Sequence, residues 1–302
     1  MNFEQNTALD KVLTALFLPY KKSVTDVEKI TKAMIEANMI ANENEIINDH
    51  IAFRTLGVPN LGISSFEKIF LHYGYSKMDS YHFAAKKLDA YWYAPPSPEY
   101  PRIFISELRV EDLSNQAQRI ISEYTNTIIA DPIDAIDLDD TQAVGDFFYK
   151  PLWKLPTLAD FQKLSEESEY AAWVIYNRYY LNHYTISVHD LPSPYNSLEV
   201  FNEFLKGLGI VLNSSGGIIK TSNDGLLRQS SSVAEMVDAT FAHNEKMKIS
   251  GSYVEFAERS ILPEFKSLAK NDIQKEHRRE GFEAANADKI FESTYLEQTS
   301  KK

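Results

Sequence analysis

Leu9, Val12, Leu13, Leu16 and Phe17 recur at three- and four-residue spacing, the period of an amphipathic helix over residues 6–19. A second helix is predicted over 23–42, with Thr25-Asp26-Val27-Glu28 as cap and first turn. The period then drops to two in Asn48-Asp49-His50-Ile51-Ala52-Phe53-Arg54-Thr55, which reads as a strand. Ile51 and Phe53 fall on its apolar face, and His50, Ala52 and Arg54 on the other. A loop at 57–62 leads to a helix capped by Ser64 or Ser65, running to Tyr73 and closed by Gly74. His82 to Tyr93 reads as strand around the Lys86-Lys87 pair, broken by Ala94-Pro95-Pro96-Ser97-Pro98. Arg102 to Leu108 is another strand. Residues 112–126 and 138–182 are predicted mainly helical, with breaks at Pro151 and Pro156.

The strand, helix, strands order then recurs. His183 to His189 is a strand, Ser197 to Leu208 a helix ending in Gly207 and Gly209, and Gly216-Gly217 a turn. Leu226–Ser232 and Gly251–Glu258 are further strands. Each half opens on a His-led strand and closes on a strand carrying a glutamate, Glu107 in one and Glu255 in the other, 57 and 72 residues after the histidine. The expectation is one α+β domain over 1–302. Its parts are a first module at about 48–110, a helical insertion at about 111–181, a second module at about 182–262 and a helical tail at 263–302. From Lys266 onward the tail is charged, and a solvated face is expected of it.

Composition narrows the chemistry. A net charge of -12 argues against nucleic-acid or anionic-membrane partners and leaves a small anionic substrate open. With no cysteine, thiolate catalysis, disulfides and sulfur-ligated metals are excluded. Met1 to Asp10 lacks the basic and apolar regions of a secretory leader, and no apolar run nears the roughly 18 residues of a membrane span. A cytoplasmic location is the expectation.

Any metal must be held by the seven histidines and by carboxylates. Two histidines and one carboxylate with open positions form the facial triad of non-haem Fe(II) oxygenases, and His50, His183 and Glu255 are the candidates. His183 is preferred to His189 because it takes the place in the second unit that His50 takes in the first. Arg54, on the His50 face, is suited to clamp a carboxylate. Gln229 and Ser231 share a strand face and are candidates for substrate oxygens. Glu107, read as the counterpart of Glu255, is a candidate fourth ligand or a group behind the ligands. Spacing alone favours surface roles for His50 and Arg54, and leaves an outward-facing Glu255 as open as an inward one. Phosphate-cradling glycine loops and Gly-x-Ser-x-Gly elbows are absent.

Six ordered segments together resemble the 2-oxoadipate dioxygenase/decarboxylase family from about residue 45 to 262. They are Asp49–Thr55, His82-Phe83 with Lys86–Ala90, Arg102–Leu108, Asn182–Ile186, Leu226-Leu227 with Gln229–Ser231, and Tyr253–Arg259. The resemblance implies paired βαβββ modules related to the vicinal oxygen chelate superfamily. It implies Fe(II) held by His50, His183 and Glu255, and Arg54 on a substrate carboxylate. It implies conversion of 2-oxoadipate and O2 to 2-hydroxyglutarate and CO2 in lysine catabolism. Arg228 stands where the family suggests a less basic residue. Two other readings stay open: a glyoxalase-like isomerase using Glu107 as fourth ligand, with zinc or nickel, and a non-catalytic small-molecule-binding protein.

Overall fold

Both N-terminal helices form, α1 (Ala8–Ser23) and α2 (Thr25–Glu36), in a computed structural model that describes residues 6–302. Residues 1–5, half of the stretch searched for a leader, lie outside the described residues. Thr7 caps α1 by accepting from the Asp10 N–H, while Asp10 returns the bond to the Thr7 backbone.

The first module runs β1 (Asn48–Gly57), α3 (Ile63–His72), β2 (Ser76–Phe83), β3 (Leu88–Ala94) and β4 (Arg102–Arg109), a βαβββ unit. The single strand expected at 82–93 is two strands. Its lysine pair is the turn between them, with Lys87 at φ 56°. Four helices follow: α4 (Asn115–Thr125), α5 (Thr141–Phe147), α6 (Leu158–Glu167) and α7 (Glu169–Asn177). The second module repeats the order as β5 (His183–Ser187), α8 (Leu198–Gly207), β6 (Lys220–Thr221) and β7 (Leu227–Ser231). A separate hairpin, β8 (Met236–Thr240) and β9 (Lys246–Ser250), intervenes before β10 (Tyr253–Arg259).

The modules share one eight-stranded sheet in the order β2-β3-β4-β1-β5-β10-β7-β6. In each half the His-led strand lies parallel to the closing strand, β1 on β4 and β5 on β10, and β1 meets β5 antiparallel at the centre. The two histidine strands are therefore neighbours at the middle of the sheet. One face of β1 buries Phe53 against Phe66 and Phe70 of α3 and against Phe148. The other presents His50, Ala52 and Arg54, as the alternation predicts.

The tail departs from expectation. Helix α9 (Ala284–Phe291) touches both edge strands, β2 and β6, so it lies in the mouth of the curled sheet, and α10 (Leu296–Thr299) follows. Phe282, Ile290, Phe291, Ser293 and Thr294 are buried. A solvated tail is therefore wrong for this stretch. Phe282, Ile290 and Phe291 are large apolar groups that flanking charges do not offset, and their burial is favourable by about 1.5–3 kcal/mol each. Lys86 in the β2–β3 turn pairs with Asp288 and Glu292 (3.2 and 2.7 Å), so the tail's charges hold it down.

Candidate metal centre

His50, His183 and Glu255 come from three adjacent central strands and meet on the concave face. The Glu255 Oε2 lies 3.0 Å from His183 Nε2 and 3.5 Å from His50 Nε2, and the two Nε2 atoms are 3.4 Å apart. All three side chains are buried. Two imidazole nitrogens and one carboxylate oxygen, gathered at one point, are a donor set for a divalent transition metal. Among the described residues no other group of three such donors converges in this way.

Each imidazole is aimed by the residue before it. Asp49 Oδ1 engages His50 Nδ1 at 2.8 Å, and Asn182 Oδ1 engages His183 Nδ1 at 3.1 Å. Bonding at Nδ1 leaves Nε2 as the ligand atom on both rings. Neighbours on a regular strand face opposite ways, so Asp49 needs a device to reach the same site. It has one: the β1–β5 register slips by one residue between Asn48 and Ile51, a bulge that re-aims side chains. Arg259 then grips Asp49 with two bonds, Nε at 2.6 Å and an amino nitrogen at 2.9 Å, and Arg102 approaches at 3.4 Å.

Electrostatics fit a metal-ready set. Burial pulls His183 below its ordinary value, with Glu255 opposing, which favours the neutral ring whose lone pair a metal needs. Burial would also lower His50, but Glu255 and Asp49 outweigh it and raise the ring. Burial would raise Glu255, yet the two imidazoles hold it well below the usual carboxylate range. Burial would raise Asp49 too, and Arg259 and Arg102 hold it well below.

The remaining candidates divide. Gln229 donates from Nε2 to Glu255 Oε1 at 2.7 Å and accepts from Asn286 at 3.0 Å, so it holds a ligand in place. The Ser231 hydroxyl is taken by Ser293 (2.8 Å). Arg54 is 1% exposed, bonds Thr294 Oγ1 and the Phe291 carbonyl (2.9 Å each), and lies over the rings of Tyr170 and Trp173. Its Nε has no partner, and no carboxylate pairs with it among the described residues. Glu107 is not brought to the site. It pairs in register with Thr55 on the other face and accepts from the Ile63 N–H at the start of α3 (2.7 Å). Arg228 points outward, to Glu199 and Glu258.

Sequence reasoning missed Asp49 and Asn182, although an acceptor side chain before both histidines was a legible signal. It missed Phe104 as well. In β5–β10 the register pairs His183 with Tyr253, and Glu255 stands two residues further on. In β1–β4 it pairs His50 with Arg102, and Phe104 stands two further on. Phe104, not Glu107, is therefore the true counterpart of Glu255.

The roof over the triad is aromatic and aliphatic: Phe104 with Phe282, Ala287, Ile290 and Phe291 from the tail. Phe282 sets its ring edge-on to His50, centroids 4.8 Å apart. The space beneath is about 20 Å³, room for roughly one water.

The chain matches the sequence profile of the 2-oxoadipate dioxygenase/decarboxylase family over residues 12–272. It is 44% identical over 282 residues to a chloroplastic 2-oxoadipate dioxygenase/decarboxylase of Arabidopsis thaliana, covering 90% of this chain and 74% of the relative. It superposes with a TM-score of 0.88 and 42% identity on a hydroxyglutarate synthase of Oryza sativa in complex with 2-oxoadipate, covering 96% and 92% of the two chains. A glyoxalase-superfamily protein of Ralstonia eutropha shares the fold at 20% identity and a TM-score of 0.69, covering 92% and 87%. The cytoplasmic expectation does not stand, because the Arabidopsis relative is chloroplastic. A compartment is written in targeting segments, and the composition of the first ten residues does not decide it.

Proposed function

The chain belongs to the 2-oxoadipate dioxygenase/decarboxylase family, and from that premise we propose that it holds Fe(II) on His50, His183 and Glu255 and converts 2-oxoadipate and O2 to 2-hydroxyglutarate and CO2. A place in lysine degradation follows from that substrate. When bound, Fe(II) supplies reactivity toward O2 and a Lewis-acidic seat for the keto and neighbouring carboxylate oxygens of the substrate.

The chain's own residues do the rest. Asp49 and Asn182 fix the ring orientations, and Gln229 fixes Glu255. Arg54 stands four residues beyond His50 on one strand, about 13 Å along the backbone. That reach suits the carboxylate at the far end of a six-carbon chain. The aromatic roof excludes water from the reacting end. One observation carries this reading: a buried triad shares its face with an arginine that has no carboxylate of its own.

Metal-free protein reloaded without air with Fe(II), Zn(II) or Ni(II) tests it. Turnover of 2-oxoadipate and O2 is expected with Fe(II) only. Activity toward any 2-oxo acid with Zn(II) or Ni(II), and none with Fe(II), would favour an isomerase.

A further inference from the structure

Lys220 is the one buried lysine among the described residues, 4% exposed. It sits in the edge strand β6, directly opposite Gln229 of β7. Residues opposite one another in a strand pair project to the same face. Gln229 projects to the concave face, where its amide holds Glu255. Lys220 shares that face.

Its ammonium donates to the carbonyls of Asn213 (2.7 Å) and Ile218 (3.3 Å), and among the described residues no carboxylate pairs with it. Asn213 in turn donates to Ser293 Oγ and to the Lys289 carbonyl (2.9 Å each). Arg54 donates to Thr294. Arg54 thus bonds Thr294 directly, and Lys220, from the other half of the sheet, is linked to the neighbouring Ser293 through Asn213. A third cation, Arg178, stands at the end of α7 on the carbonyls of Trp153 and Tyr176. Keeping a lysine charged in such a place is costly. Burial pulls Lys220 down to about 8, with Glu255 and Glu292 opposing. A dianion entering the site would relieve that cost.

We propose that Lys220, together with Arg54, receives the far carboxylate of a dicarboxylic 2-oxo acid and makes the site selective for dicarboxylates over monocarboxylates. The proposal rests on the function proposed above and names the residue that sets its substrate class.

The test compares wild type, Lys220→Met and Lys220→Arg with 2-oxoadipate and with 2-oxohexanoate, which has the same chain length without the far carboxylate. KM and kcat are read in the Fe(II) protein, and binding of each acid is read by anaerobic calorimetry. Metal content and melting temperature are recorded for each variant. Lys220→Met is expected to weaken 2-oxoadipate about tenfold or more, in KM and in binding, with kcat and the 2-oxohexanoate values within about threefold of wild type. Lys220→Arg is expected to restore much of the loss. Equal weakening of both acids, or unchanged 2-oxoadipate binding, would overturn the assignment. If Lys220→Met does not fold, Lys220→Gln carries the same comparison. A wild type that binds neither acid would remove the functional reading, and the Lys220 assignment with it.

Discussion

Gln229 lies on the concave face with its amide nitrogen 2.7 Å from Glu255 Oε1 and its amide oxygen on Asn286. The Gln229→Leu substitution keeps volume and removes both bonds. Glu255 is 1% exposed, so the freed oxygen has no water to turn to. A hydrogen bond to a charged acceptor contributes about 1.5–3 kcal/mol. At about 1.4 kcal/mol per decade, that predicts metal binding weaker by roughly 10- to 150-fold. Losses of about 10- to 100-fold are typical when a residue behind a metal ligand is removed, and the two ranges overlap. Competition with a coloured chelator for Co(II), read by visible absorbance, measures it directly. At saturating metal, KM for 2-oxoadipate should stay near wild type. Unchanged metal affinity with a sharply raised KM would show that Gln229 binds substrate, and that its bond to Glu255 is incidental.

Arg54→Met is expected to leave metal stoichiometry intact and raise KM for 2-oxoadipate by about 10- to 100-fold, the loss of a charge-assisted bidentate contact, and steady-state kinetics beside metal analysis checks both. Phe282→Ala removes the ring that meets His50 and Phe104; a stability loss of about 3–5 kcal/mol is expected, read by denaturant titration, with more O2 consumed per product formed. Because Glu255 and Asp49 raise His50 above its ordinary 6.5, protons compete with the metal from above that value downward. Metal retention should fall as pH drops through that region, and dialysis at stepped pH with metal analysis shows whether it does.

How much of this was legible from the chain differs residue by residue. Strand periodicity placed His50 and Arg54 on one face and Phe53 on the other, because that alternation is set by the backbone. The repeat placed His183 beside His50, since matching strands in paired modules become neighbours. Counting failed for Glu107, because loops between strands differ in length between the halves, and only the hydrogen-bond register shows that Phe104 occupies the matching position. Gln229 was found, but its bond to Glu255 was not foreseen: which oxygen a buried amide meets is a tertiary fact. The tail was misread because its charges are dense along the sequence, yet Lys86 neutralises two of them and its few large apolar groups roof the site.

The central claim is tested most directly by O2 uptake of the Fe(II)-loaded protein with 2-oxoadipate, with CO2 and 2-hydroxyglutarate counted in the same vessel. One O2 consumed and one CO2 released per 2-hydroxyglutarate formed, with nothing above background in Glu255→Ala, is the predicted result. Metal-loaded protein that consumes no O2 with 2-oxoadipate, or a Glu255→Ala variant as active as wild type, would contradict it.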